Sequence, residues 1–308
     1  MYLSHFGLSE APYRITPHTD FFFDGANRGA TLEALLYAIT HDEGIVKVTG
    51  EVGSGKTMLC RVLIERLPPE VDTIYLANPS LERDEIVLAI LDDLKVASTS
   101  GRSTLLLRNL QEHLIKLYAE GRRVVVLVDE AHAMPAETLE EIRLLSNLES
   151  KRHKLLQIVL FGQQELDDVL GTVQMRQLKE RIVHSFRLEP MIHSDIGTYL
   201  IFRMRQAGYK GPNLFSKGAV KLIAGASEGL TRRINILADK ALLAAYSDGE
   251  HEILARHAKV ALADSEFARL QPQRFSTLTL AAAGLALVAG GALAAAIALS
   301  MLRDNPAL

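Results

Sequence analysis

Cysteine is nearly absent from this chain: of 308 residues only Cys60 carries a thiol. One thiol closes no disulfide within the chain and builds no zinc or redox cluster, which excludes a disulfide scaffold and a cysteine-ligated metal centre. Cys60 is therefore read as a small buried side chain. Net charge is scarce too, −3 at neutral pH, and offers no general electrostatic footprint for nucleic acid, so no nucleic-acid partner is expected. The first residues, "MYLSHFGLSE", are aromatic and polar rather than a basic stretch followed by an apolar one. The bulk of the protein is expected in a reducing cytoplasm. Hydrophobic residues at 48% and charged residues at 23% exclude disordered and collagen-like classes and leave ample core for one large domain and a smaller one.

One segment is free of charge altogether. Phe275 to Leu302, "FSTLTLAAAGLALVAGGALAAAIALSML", extends to roughly 40 Å as a helix, against the ~30 Å of a hydrocarbon core. It lacks any polar face, so a single membrane-spanning helix is expected. Arg256, Lys259, Arg269 and Arg274 precede it and only Arg303 follows it, which places the N-terminal part on the cytoplasmic side and the C-terminus outside. Residues 267–274 read as a juxtamembrane linker and 303–308 as a short external tail.

What is present upstream carries chemistry. "IVKVTGEVGSGKTMLCRVLIERL" gives a β-branched run, a glycine-rich turn and then a helical pattern with Leu59, Val62, Leu63 and Leu67 apolar. The turn holds Gly50, Glu51, Val52, Gly53, Ser54, Gly55, Lys56 and Thr57, followed by Met58. This is a phosphate loop in its strand–loop–helix context. Its glycines let backbone N–H groups face a β-phosphate, helped by the helix N-terminus. Lys56 is expected to reach the β- and γ-phosphates and the Thr57 hydroxyl to ligate Mg²⁺. A second signal follows in "RRVVVLVDEAH", where a continuous apolar run, as needed by a strand covered on both faces, ends in Asp129 and Glu130. Asp129 is expected to hold Mg²⁺ through water, and Glu130 to polarise an attacking water. No Asn-Lys-x-Asp segment for reading guanine is present, so ATP is the expected nucleotide.

Between and after these motifs strands alternate with helices: "VDTIYLA" and "LLQIVLFG" read as strands, "RDEIVLAILDDL" and "LLLRNLQEHLIKLYAEG" as helices. That alternation implies an α/β fold, a parallel sheet with helices on both faces.

The segments "HFGLSEAPYRITPHTDFFF", "GEVGSGKT", "VLVDEAH", "QIVLFGQQEL", "QLKERIVHSFRLEPM" and "GLTRRINILADKALLAAY", in this order, resemble the ExeA/GspA family of secretion-pathway ATPases. That family is a branch of the AAA+ superfamily with pilus-biogenesis relatives such as MshM, and the resemblance covers about residues 1 to 265. It implies a P-loop AAA+ core (1–190), a small α-helical lid (191–266) with ATP between them, and assembly into a membrane-bound homo-oligomer or complex. By position, Gln163 resembles the sensor of the γ-phosphate, Arg181 the arginine presented to a neighbour's nucleotide, and Arg232 the lid's second sensor, with Arg233 as the competing assignment. The aromatic N-terminal segment is similar to one that packs beside adenine. Tyr13, His18 and Gln164 depart from the family's usual Phe, acid and Pro. Family members typically continue beyond the membrane into a periplasmic region that engages peptidoglycan, whereas here the span is read as an anchor.

Charge is unevenly spread. Residues 1–190 hold 21 basic against 28 acidic residues, and residues 191–274 hold 12 against 8, as expected of a lid and linker resting near anionic lipid. The expectation is an inner-membrane, single-pass Mg²⁺-dependent ATPase with its catalytic domain in the cytoplasm. It would drive assembly or remodelling of a secretion, pilus or surface-polymer export apparatus and contact its subunits. The alternatives are a nucleic-acid-associated ATPase resembling transposition helpers, and a nucleotide-dependent scaffold.

Overall fold

The computed structural model describes residues 2–41, 44–96, 103–150 and 153–266; all but Glu266 belong to one compact unit, Met1–Ser265. The elements run α1 (Tyr2–His5), α2 (Arg28–His41), β1 (Ile45–Gly50), α3 (Lys56–Arg66), β2 (Val71–Leu76), α4 (Arg83–Asp93), α5 (Ser103–Ala119) and β3 (Arg123–Val128). They continue with α6 (Ala136–Leu145), β4 (Leu156–Gly162), α7 (Glu165–Leu170), α8 (Arg176–Lys179) and β5 (Ile182–Leu188). Four helices close the unit: α9 (His193–Gln206), α10 (Lys217–Ser227), α11 (Thr231–Ser247) and α12 (Ala255–Ala263).

The five strands form one parallel sheet in the order β2-β3-β4-β1-β5. Alternate strand residues face opposite layers. Val124, Val126, Val128, Ile158 and Leu160 pack with Ile86 and Ile90 of α4, Leu110 of α5 and Leu139 of α6. Val125, Leu127, Val159 and Phe161 pack with Leu32 and Leu35 of α2 and Leu59 and Leu63 of α3. Two apolar faces per strand explain why these segments read as unbroken hydrophobic runs. Cys60 is wholly buried in the second layer.

β5 is a strand that the alternation of elements in the sequence did not announce. It is an edge strand paired only with β1, and its residues alternate between half-buried and exposed until Leu188. At an edge, one side faces water, so His184, Ser185 and Arg187 are tolerated and no continuous apolar run is required.

The N-terminal segment, counted with the core on sequence grounds, is bonded to the helices that follow the sheet. Tyr2 donates to Asp239 of α11 at 3.1 Å, Ser9 to the Ala207 carbonyl at 2.9 Å, and the buried Tyr13 hydroxyl to the Leu200 carbonyl of α9 at 2.8 Å. Arg203 of α9, 4% exposed, returns donors to the Pro12 and Arg14 carbonyls at 2.6 and 3.3 Å. Its guanidinium also lies 4.6 Å from the centre of the Phe21 ring, a cation–π contact that suits a desolvated arginine. Among the described residues no helix is long and apolar enough to cross a membrane; the span expected at 275–302 lies outside them.

Tyr13→Phe removes one buried donor and leaves the ring in place. The expected cost is about 1 kcal/mol, read as a lower urea midpoint with an unchanged m value.

Candidate active site

A parallel sheet turns the carboxyl ends of its strands, and the loops that follow them, to one edge. Here that edge gathers the phosphate loop after β1, Asp129 and Glu130 after β3, and Gln163 after β4. Because β4 lies between β1 and β3, Gln163 falls between the loop and the acidic pair. One cavity opens at this edge. Val52, Gly53, Gly55, Lys56, Thr57 and Met58 form one wall; Glu130 and Gln163 a second; Thr231, Arg232 and Asn235 of α11 a third; and residues 14–17 with Phe21, Phe22 and Phe23 a fourth. Gly50, Glu51, Ser54 and Asp129 do not line it.

The loop's conformation needs its glycines. Gly53 and Gly55 have φ of +79° and +105°, where an L side chain is strained. A Cβ on Gly53 would also come within 2.8 Å of the Arg232 Cβ. Lys56, 6% exposed, donates to the Gly50 and Glu51 carbonyls at 2.9 and 3.1 Å. Burial lowers its pKa from the ordinary lysine value, and Glu130, Asp129 and Glu51 offset part of that shift. The Glu51 carboxylate accepts from Gln164 Nε2 at 2.7 Å, so the residue that departs from the family's proline links the loop to the turn after β4.

Asp129 is buried, with Oδ1 accepting from the Glu130 N–H at 2.9 Å and Oδ2 from the Tyr75 hydroxyl at 2.9 Å. Burial first, and then this bond to Asp129, raise the Tyr75 pKa. Both donors are neutral, and among the described residues no cation pairs with this carboxylate. Glu130 sits in the left-handed region at φ 52°, ψ 36°, a conformation costing on the order of 1–3 kcal/mol that collects at functional sites. Its Oε2 lies 3.4 Å from His132 Nδ1, which also accepts from the Gln163 N–H at 3.4 Å.

Of the two neighbouring lid arginines, Arg232 lines the cavity while Arg233 is ion-paired with Glu228. Arg181 is elsewhere. It precedes β5 at the start of the sheet, where its carbonyl accepts from Ile45 N–H and its guanidinium donates to Ser146 Oγ at 3.1 Å. The length of β1 separates it from its own phosphate loop, about 20 Å at strand rise. Three residues of the site carry no signal in the sequence: Arg28, buried and on the cavity wall, Thr231, which also lines the cavity, and Tyr75. Each is a lone polar residue whose partner is remote along the chain, so no spacing betrays it.

A glycine-rich loop at a helix N-terminus with a buried lysine and a hydroxyl after β1, a carboxylate pair after β3, and a glutamine after the strand between them make up a P-loop AAA+ fold. The AAA domain family model matches residues 39–170. The solved structures of the ORC2 protein of Aeropyrum pernix (17% identical, TM-score 0.60, 82% of this chain and 72% of that one) and of Cdc6p from Pyrobaculum aerophilum (17%, TM-score 0.61, 88% and 74%) share the fold. The chain has the AAA+ fold and is similar to general secretion pathway protein A of Aeromonas hydrophila, with 39% identity over 294 residues, 94% of this chain. It spans about half the length of that relative, 53%.

Gly53→Ala combines a positive φ with a clash against Arg232. It is expected to weaken nucleotide binding and to lower stability by about 1–2 kcal/mol; titration with a fluorescent nucleotide and thermal melting check the two effects separately.

Proposed function

We propose that the protein is a Mg²⁺-dependent ATPase, anchored in the bacterial inner membrane by residues 275–302, whose hydrolysis cycle drives assembly or remodelling of a secretion, pilus or surface-polymer export apparatus. The observation that carries the catalytic part is that Glu130, Gln163 and Lys56 line one cavity. The relation to general secretion pathway protein A supports the setting.

In this reading the loop amides of residues 53 and 55–57 and the Lys56 ammonium bind the β- and γ-phosphates. Mg²⁺, when bound, neutralises charge on these oxygens, and the Thr57 hydroxyl and Asp129 are the groups that fit it. Thr57 lines the cavity, and Asp129 keeps lone pairs beyond those used by Tyr75 and Glu130. The Glu130 carboxylate orients a water for in-line attack and accepts its proton. Gln163 donates to the γ-phosphate, and Arg232 reaches it from the lid. The aromatic residues 21–23 and the backbone of residues 14–17 receive the adenine. Arg181, too far to serve its own site, presents its guanidinium to the site of an adjoining copy, so the active unit is a homo-oligomer.

Hydrolysis measured with the full chain in lipid tests this. Glu130→Gln is expected to lower the rate roughly 10²- to 10⁴-fold while nucleotide still binds. The rate per subunit should rise with protein concentration, and mixing Arg181→Ala with Lys56→Ala should restore part of the activity each lacks. A natural rate as low as that of Glu130→Gln would favour a nucleotide-dependent scaffold; a rate per subunit that is flat with concentration, with Arg181→Ala silent, would remove Arg181 from the mechanism.

A further inference from the structure

Arg28 opens α2, is 5% exposed and lines the nucleotide cavity. Its Nη2 donates to the Ser54 carbonyl of the phosphate loop at 3.2 Å and to Thr231 Oγ1, the first residue of α11, at 3.3 Å; Nη1 donates to the Ala26 carbonyl at 3.3 Å. The Thr231 hydroxyl in turn donates to the same Ser54 carbonyl at 3.2 Å. One carbonyl of the loop therefore receives a donor from the core and a donor from the lid, and a single guanidinium spans both. A planar fork of five N–H groups can do this; an ammonium cannot hold three acceptors in one plane.

The charge of this knot is unbalanced. Every acceptor is neutral, and among the described residues no carboxylate pairs with Arg28. Burial lowers its pKa to about 10, with Tyr199 and Asp195 offsetting part of the shift, so it stays a cation at neutral pH. A buried cation without a counter-charge is costly, and the cavity it lines is where an anion can approach.

We propose that Arg28 is a positioning residue of the nucleotide site, tying the lid helix to the phosphate loop through Ser54 and Thr231 so that lid placement depends on the negative charge the loop receives. This deepens the ATPase reading and rests on it. Bound phosphates supply a closer counter-charge and the knot tightens; with the phosphates gone, the cation keeps only the partial offset from Asp195 and the hold on Thr231 weakens.

The test uses the full chain in lipid with Mg²⁺ and a fluorescent ATP analogue, with Lys56→Ala as the control that should abolish binding. Arg28→Gln is expected to raise Kd at least about tenfold, and Arg28→Lys to rescue only part of that loss. Thr231→Val, which removes only the lid's share of the knot, should also raise Kd, and Thr231→Ser should restore it. The double variant Arg28→Gln/Thr231→Val should bind no worse than the weaker single variant, because the groups act as a unit. An Arg28→Gln protein that melts earlier without nucleotide yet binds with unchanged Kd has lost only packing and overturns the proposal. If Arg28→Gln does not fold, Thr231→Val decides alone, and an unchanged Kd overturns it. Wild type binding no better than Lys56→Ala would instead remove the nucleotide reading itself and the proposal with it.

Discussion

A loop that turns its amides toward an anion must hide its carbonyls, and each buried carbonyl needs a donor. That constraint organises the site. Lys56 takes the Gly50 and Glu51 carbonyls, the Arg232 amide takes Gly53 at 3.0 Å, and Thr231 with Arg28 takes Ser54. Two of these four carbonyls are thus served from α11. α11 is therefore part of the loop's hydrogen-bond complement. The absence of a side chain at Gly53 lets α11 approach closely enough to serve it.

The sheet supplies the other half of the geometry. Strand order sets β1, β4 and β3 side by side, so one loop, one glutamine and one acidic pair reach a common edge. Buried aliphatic layers on both faces fix the strands that carry them. The lid has a second tether: Arg203, Tyr13 and Tyr2 bind the N-terminal segment to α9 and α11, and the same segment supplies a cavity wall through Phe21 to Phe23. The N-terminal segment and α11 are thus both bonded into the surroundings of one cavity.

The parts of this site that were legible in the sequence are those whose chemistry is encoded in local spacing. The glycine-rich turn between a β-branched run and an amphipathic helix, and the acids ending a continuous apolar strand, declare themselves because their residues act within a few positions of one another. β5 was not announced, because an edge strand needs only partial cover and its alternation of His184, Ser185, Phe186 and Arg187 resembles a loop. Arg28, Thr231 and Tyr75 were missed for a different reason. Their partners lie 26, 177 and 54 residues away, a proximity created by the fold. Sequence could not choose between Arg232 and Arg233; packing places the first on the cavity and pairs the second with Glu228.

Under the proposed function, nucleotide is held jointly by the phosphate loop and α11. Amide hydrogen exchange of the full chain in lipid, with and without Mg²⁺ and a non-hydrolysable ATP analogue, tests it most directly. The account predicts that the analogue slows exchange together in the loop around Gly53 to Thr57, in the first turn of α11, and in the segment from Arg14 to Phe23. Protection confined to the loop, with α11 and the N-terminal segment unchanged, would contradict it.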